Sequence, residues 1–200
     1  MEISVTRARR KTGRPLSFDR QAALQKAMLT FWRHGYETTS ISDLTAVMGI
    51  TAPSLYTAFG DKKRLFLEAM RLYAQSPEVL QAQLDAAPTA RDAAHQMLVS
   101  AALGFTGETT PPGCLLASAA ASGSTEAIEV QAEVASIRTD IITRLTNRIA
   151  KDGLAAAEEL AALVVAVIQG MSVLARDGMP REKLLALAKT AIQAWPKIDP

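Results

Sequence analysis

The chain has 200 residues, 48% apolar and 21% charged, with 22 Lys/Arg against 20 Asp/Glu for a net charge of +2. That length suits a small module plus a larger domain with a real core, and the single cysteine, Cys114, excludes an intramolecular disulfide and a cysteine-rich zinc site. The longest apolar run, Leu160–Ile168, falls short of the roughly 18 residues of a membrane span, and the basic N-terminus lacks the apolar segment of a secretory signal, so a cytoplasmic chain with no membrane partner is expected.

The charge is unevenly spread. Residues 1–75 hold twelve Lys/Arg and six Asp/Glu, whereas residues 76–200 hold ten and fourteen. A basic first third on a slightly acidic body suits an N-terminal reader of a polyanion. Residues 1–16 carry Arg7, Arg9, Arg10, Lys11 and Arg14 without apolar periodicity and are predicted to be a flexible basic arm. A first helix is predicted from about Ser17 to His34, with Ser17 or Asp19 at its start and Leu24, Ala27, Met28 and Phe31 on its inner face.

The stretch Thr39 to Lys62, TSISDLTAVMGITAPSLYTAFGDK, is the most specific in the chain. Ile41, Leu44 and Met48 line one helical face. Gly49 supplies the residue that leaves a helix at positive φ, Thr51 caps the next helix, Pro53 sits in its first turn, and Leu55 and Phe59 turn inward. Two short helices joined in this way are a helix-turn-helix, whose second helix commonly enters a DNA major groove. Thr51, Ala52, Pro53, Ser54, Tyr56 and Thr57 are predicted to face that groove, with Thr39 and Ser40 meeting phosphates through hydroxyl and N–H groups. Leu55 and Phe59 are read as core. Asp61 opens a fourth helix through Leu65, Phe66, Ala69, Leu72 and Tyr73 that should stop near Ser76-Pro77.

The remainder reads as helical, with no strand and no internal repeat. Thr89-Ala90-Arg91-Asp92 starts a helix that runs to about Phe105, and GETTPPG over 107–113 is a loop. A short helix from Cys114 to Ala121 precedes a break at Ser122-Gly123-Ser124-Thr125, then a long helix from about Glu126 to Lys151. Two last helices span about Ala155–Arg176 and Pro180–Trp195. Their apolar faces are wide enough for two partners each. Leu163, Val167, Gly170, Leu184, Leu187 and Ile192 are candidates for a dimer seam, with Gly170 allowing close helix approach. Met97, Phe105, Cys114 and Met171, with Val173, are candidates for lining a small-molecule cavity, against the plainer reading that apolar residues at helical spacing are core. Cys114 also sits at a predicted helix start, an environment that favours thiolate and oxidant or electrophile sensing. His34 and His95 show no ligand spacing, and no metal or cofactor is expected.

The run from Phe18 to about Tyr73 resembles the DNA-binding domain of TetR-type transcriptional regulators. The likeness lies in HGYETTSISDLTAVMGI followed by TAPSLYTAFGDKKRLF: Gly35-Tyr36 closing the first helix, Thr39-Ser40 starting the second, Leu55-Tyr56 in the recognition helix, then Phe59 and Lys62. Ala52-Pro53 departs from the Lys-Gly-like pair of many relatives and offers no side-chain hydrogen bond to a base. The resemblance implies that Tyr56 contacts a phosphate, that Thr57 lies at a base edge or phosphate, and that Lys62 neutralises a phosphate. It also implies an all-α architecture: a flexible arm (1–16), a three-helix DNA-binding domain (17–75) and a helical ligand-binding and dimerisation domain (76–200). The expected function is a homodimeric repressor on a pseudo-palindromic double-stranded operator, released by a small-molecule effector. Alternatives are a redox or electrophile sensor using Cys114, an activator, and a helical protein-interaction module that does not bind DNA specifically. An enzyme is disfavoured, since no nucleophile–base pair, phosphate loop or metal cluster is visible.

Overall fold

The computed structural model describes residues 18–74, 76–118 and 125–196. Ser17, the basic arm over 1–16 and the expected break at Ser122–Ser124 lie outside the described residues. Among the described residues ten helices follow in order: α1 (Arg20–His34), α2 (Ile41–Met48), α3 (Ala52–Phe59), α4 (Lys62–Ala74), α5 (Pro77–Ala86), α6 (Ala90–Phe105), α7 (Leu115–Ser118), α8 (Thr125–Lys151), α9 (Ala157–Arg176) and α10 (Arg181–Gln193). The described residues contain no strand.

Of the two expected caps on α1, the carboxylate of Asp19 is the one seen, accepting the N–H groups of Gln21 at 2.9 Å and Ala22 at 3.0 Å. In the N-terminal half, Phe31 meets Phe66 edge-on at 4.9 Å and Tyr36 meets Phe66 at 5.0 Å, which locks α1 and the α1–α2 loop onto α4. Arg20 holds the far end of this bundle. Its guanidinium grips both oxygens of Glu68 at 2.6 and 2.7 Å, donates to the Ala58 carbonyl, and lies 4.4 Å over the Phe59 ring. With both ion-pair partners a third or more exposed, the pair itself adds little stability. Its geometric effect is larger, because the C-terminal end of α3 is tied to both α1 and α4.

The sequence reading of Ser76-Pro77 as a stop captures half of what these residues do. Pro77 is also the first residue of α5, where a missing N–H costs nothing, a helix that the sequence reading did not place. In the C-terminal half, α8 packs on α9, and α6 packs on both α9 and α10. By length and mean hydropathy of 1.7, α9 is long and apolar enough to cross a membrane, which the uninterrupted-run criterion did not detect. Its buried face nonetheless packs on α6, α8 and α10, and its ends carry Glu158, Glu159 and Arg176.

The α5–α6 turn hangs on one buried cation. Arg148 of α8, 7% exposed, donates to the carbonyls of Leu84, Ala87 and Pro88 and pairs with Asp152 at 2.5 Å. Asp152 also accepts the Ala90 N–H at 2.6 Å, which caps α6 from outside its own sequence. The Ala90 N–H and then the Arg148 guanidinium hold the Asp152 carboxyl below the usual carboxylate range. A carboxyl lowered in the folded state stabilises the fold fully above its unfolded pKa, and that contribution is lost as pH falls through the folded value. In acid denaturation followed by circular dichroism, Asp152→Asn is therefore expected to be less stable than the wild type at neutral pH. The two stabilities should converge as the pH falls below about 4. A gap between them that stays constant with pH is the contrary result.

Candidate nucleic-acid interface

The turn between α2 and α3 is set by local chemistry. Ser40 and Asp43 form a reciprocal capping box, with Asp43 N–H on the Ser40 hydroxyl at 3.1 Å and Ser40 N–H on the Asp43 carboxylate at 2.9 Å. Gly49 ends α2 at φ 70°, ψ 34°, the left-handed position that admits glycine without a Cβ penalty. Thr51 then caps α3, and Pro53 occupies its first turn. Leu44 and Leu55, both fully buried, together with Met48 and Phe59, anchor the two helices on the α1–α4 platform. Burying each leucine contributes roughly 1.5–3 kcal/mol, so α3 is presented on a rigid support.

What α3 presents is its outer face. Thr51, Pro53, Tyr56 and Thr57 are exposed, with Ala52 and Ser54 half-buried beside them. Tyr56 is 49% exposed, unusual for a large aromatic side chain with a core so near. The Thr51 and Ser54 hydroxyls pair at 2.9 Å, and the Thr57 hydroxyl donates to the Pro53 carbonyl at 2.8 Å, which fixes the rotamers of this face before any partner arrives. Lys62, at the start of α4, lies with its ammonium 4.5 Å over the Tyr36 ring, beside the α1–α2 loop.

Two expected phosphate contacts are placed differently. Thr39 is 1% exposed and its hydroxyl donates to the Gly35 carbonyl at 2.6 Å, so it closes the end of α1 instead of reaching outward. Ser40 is at the surface, but its N–H and hydroxyl are both engaged by Asp43, the hydroxyl at 2.7 Å. The capping box explains the choice, because a helix start must satisfy its own orphan donors whether or not DNA is present.

The sensor candidates separate as well. Met97 lines a cavity in the helical half, together with Leu80, Leu84, Ile141 and Ile168. Phe105, Cys114 and Met171 do not line it; they are 5%, 4% and 0% exposed and belong to the core. Val173 points the other way and is 56% exposed. Among the dimer candidates, Leu184 and Ile192 are buried within the protomer, because α10 uses that face against α6. Leu163 and Gly170 are exposed, and Val167 and Leu187 are half-buried. With Ala162, Ala166 and Val173, the α9 residues Leu163, Val167 and Gly170 form an outward stripe of small and apolar residues.

Cys114 is not the accessible helix-start thiol that its sequence position suggested. The four-residue α7 begins one residue later, and the thiol accepts a hydrogen bond from the Tyr73 hydroxyl at 3.4 Å. Burial first, and the adjacent Cys114 second, push the Tyr73 phenol above its ordinary range. The Gly113–Cys114 segment joins the two halves of the protein, with the Cys114 backbone bound to α9 and the Gly113 carbonyl to α1. The Cys114 N–H donates to the Ser172 hydroxyl at 2.8 Å, and the Cys114 carbonyl accepts from Arg176 at 2.7 Å, both on α9. One residue earlier, the Gly113 carbonyl accepts the Trp32 indole N–H of α1 at 3.1 Å, and the Trp32 ring meets Tyr73 of α4 edge-on at 4.8 Å. Gly113 has φ 77°, and a Cβ there would fall 2.7 Å from the Ser172 carbonyl oxygen, so only glycine fits this junction. Trp32, Ser172 and Arg176 were not visible as functional in the sequence, since each acts through a partner at least 58 residues away.

Comparison with known proteins agrees with this geometry. The sequence profile described as "Bacterial regulatory proteins, tetR family" matches residues 23–69, a span that covers most of α1 through α4. The HTH-type transcriptional repressor ComR of Escherichia coli (strain K12) is 33% identical over 200 residues, 95% of each chain. The HTH-type transcriptional repressor BdcR of the same organism is 27% identical over 187 residues, 92% of this chain and 93% of that protein. Among solved structures, a cysteine mutant of the TetR family transcriptional regulator CifR, complexed with 26 bp double-strand operator DNA, superposes with a TM-score of 0.84. It is 42% identical and covers 92% of this chain and all of its own.

Proposed function

The chain belongs to the TetR family of bacterial regulatory proteins, and from that premise we propose that it is a homodimeric transcriptional repressor that a small molecule releases from its operator. It is a DNA-binding regulator of a non-enzyme family. Residues 17–75 form the DNA-binding domain, preceded by the basic arm over 1–16, and residues 76–200 form the ligand-binding and dimerisation domain. The protein works in the cytoplasm, where its operator is.

The observation that carries the reading is the outer face of α3: a half-exposed Tyr56 flanked by Thr51, Pro53 and Thr57 on a helix that is otherwise locked into the core. Tyr56, Thr57 and Lys62 supply phosphate contacts, Ser40 sets the start of α2 beside them, and Thr51, Ala52, Pro53 and Ser54 approach the base edges. Ala52 and Pro53 bring only apolar contact, suited to thymine methyl groups. Thr39 supports these contacts from inside by fixing the end of α1. Release follows from linkage. An effector that binds the DNA-incompetent state more tightly weakens DNA binding, and DNA weakens effector binding by the same factor.

The test is fluorescence anisotropy on duplex DNA taken from just upstream of the gene, over a range of salt concentrations. A hydrogen bond to a charged group contributes about 1.5–3 kcal/mol and each dimer loses two, so Tyr56→Ala is expected to weaken operator binding by roughly 100-fold or more. Its melting temperature should stay within about 2 °C of the wild type, since the side chain is not core. Equal affinity of the wild type for the upstream duplex and a random one would sink the proposal.

A further inference from the structure

The cavity in the helical half has a volume of about 610 Å³ and lies between the end of α4, α5, α6, α8 and α9. That is within the size range of pockets for small organic ligands. Its depth is apolar. Leu84 is buried, and Leu80, Met97, Ile141 and Ile168 are half-buried along its wall. Its polar lining residues are more accessible: Gln83 of α5 and Gln96 and Ser100 of α6 are exposed and His95 is half-buried. Among the described residues that line it there is no Asp, Glu, Lys or Arg. A second cavity of about 440 Å³ shares Ala74, Leu80 and Ile141 with the first, and there Arg71 and Asp140 do bring charge, one of each sign.

We propose that the effector is an uncharged amphiphilic organic molecule whose apolar body fills the cavity and whose hydroxyl, carbonyl or arylamine group faces Gln83, His95, Gln96 and Ser100. The proposal rests on the regulator reading above and specifies the ligand of its sensor domain. An ion placed against Leu80, Leu84, Ile141 and Ile168 loses hydration that no opposite charge on the wall replaces, a cost of several kcal/mol. A neutral polar group has no such cost. Primary amides, an imidazole and a hydroxyl both donate and accept, so they satisfy a neutral head group of either hydrogen-bonding sense. The cavity also includes Ala74, the last residue of α4, so an occupant touches the helix whose other end carries Lys62 and whose body packs on α1 and α3.

Two dyes with one ring skeleton separate the charge from the shape: N-phenyl-1-naphthylamine, which is neutral, and 8-anilino-1-naphthalenesulfonate, its sulfonated counterpart. Both brighten on entering an apolar site. With the full-length protein at pH 8, the neutral dye is expected to bind at one per protomer and at least tenfold more tightly than the sulfonate. Ser100→Phe on α6 and Gln83→Phe on α5 fill the rim from two different helices. Both variants are expected to lose the neutral dye while keeping the wild-type melting temperature and helix content. A sulfonate that binds as tightly as the neutral dye, or neutral-dye binding unchanged in both variants, overturns the proposal. Operator binding without dye is measured in parallel. Its absence in the wild type defeats the regulator reading, whereas normal operator binding with a failed dye comparison defeats only the ligand class.

Discussion

Gly170→Arg is expected to convert the dimer to a folded monomer and to weaken operator binding by on the order of 100-fold or more. A Cβ added at Gly170 meets nothing within 4 Å, so the protomer accommodates the new side chain in open space. Replacing a mid-helix glycine with arginine also favours α9 by about 0.8–1 kcal/mol in intrinsic propensity. The damage therefore falls only on what approaches from outside. Leu163, Ala166 and Gly170 lie along one outward stripe of α9, Leu163 at 48% exposure, and a long cation in the middle of that stripe holds a second copy away. A monomer loses the second half-site, which otherwise binds at the effective concentration set by its tether to the first. Sedimentation should give half the wild-type mass with helix content retained in circular dichroism, and anisotropy should give the weakened operator affinity. Leu163→Glu should behave alike. If both variants sediment as dimers, the seam lies elsewhere on the molecule.

Arg148→Met is expected to cost about 3–5 kcal/mol of folding stability, the usual penalty for removing one partner of a buried pair. The methionine fills much of the space, so the loss is electrostatic and not a cavity. The carbonyls of Leu84, Ala87 and Pro88 and the carboxylate of Asp152 all bond to this one guanidinium. Arg148→Lys should recover part of the loss and no more, because one ammonium on a flexible stem does not reproduce a planar fork that reaches three carbonyls and a carboxylate. Urea denaturation at pH 7 reads both effects. The change also reaches function, since Leu84 lines the cavity and its carbonyl is one of those released. Dye affinity in Arg148→Lys should fall even under conditions where the variant is folded. A loss below about 1 kcal/mol in Arg148→Met would show that water satisfies these groups and that the network is not a support.

The helix-turn-helix was legible because each of its signals acts over three or four residues. Gly49, and Thr51 with Pro53, set helix ends through local geometry, and the structure has those ends where the residues indicate, whereas the Ser40–Asp43 capping box emerged only from the structure. The same locality led the reading astray at Thr39 and at Ser76-Pro77. A threonine at a helix boundary serves either as an outward donor or as a stop for the preceding helix, and only the position of the Gly35 carbonyl decides. A Ser-Pro pair that ends one helix is equally a start for the next.

For the sensor half, the sequence determined that the helices exist and that α9 and α10 each carry wide apolar faces. It did not determine which face meets which partner. Periodicity marks a residue as apolar-facing, yet Leu184 and Leu163 differ only in what lies opposite: α6 within the protomer for the first, open surface for the second. The cavity is assembled from five helices, and its polar rim of Gln83, Gln96 and Ser100 has no spacing that distinguishes it from an ordinary solvated face. Cys114 shows the same limit most plainly. Chain neighbours placed it at a helix start, but the thiol is buried and accepts a hydrogen bond from the Tyr73 hydroxyl, 41 residues away. Sequence alone settled the class of protein, because caps and turns are local. Which residues line the cavity, face a second copy or join the DNA-binding half to α9 was decided by tertiary structure, because those properties belong to pairs of residues that only the packing of helices brings together.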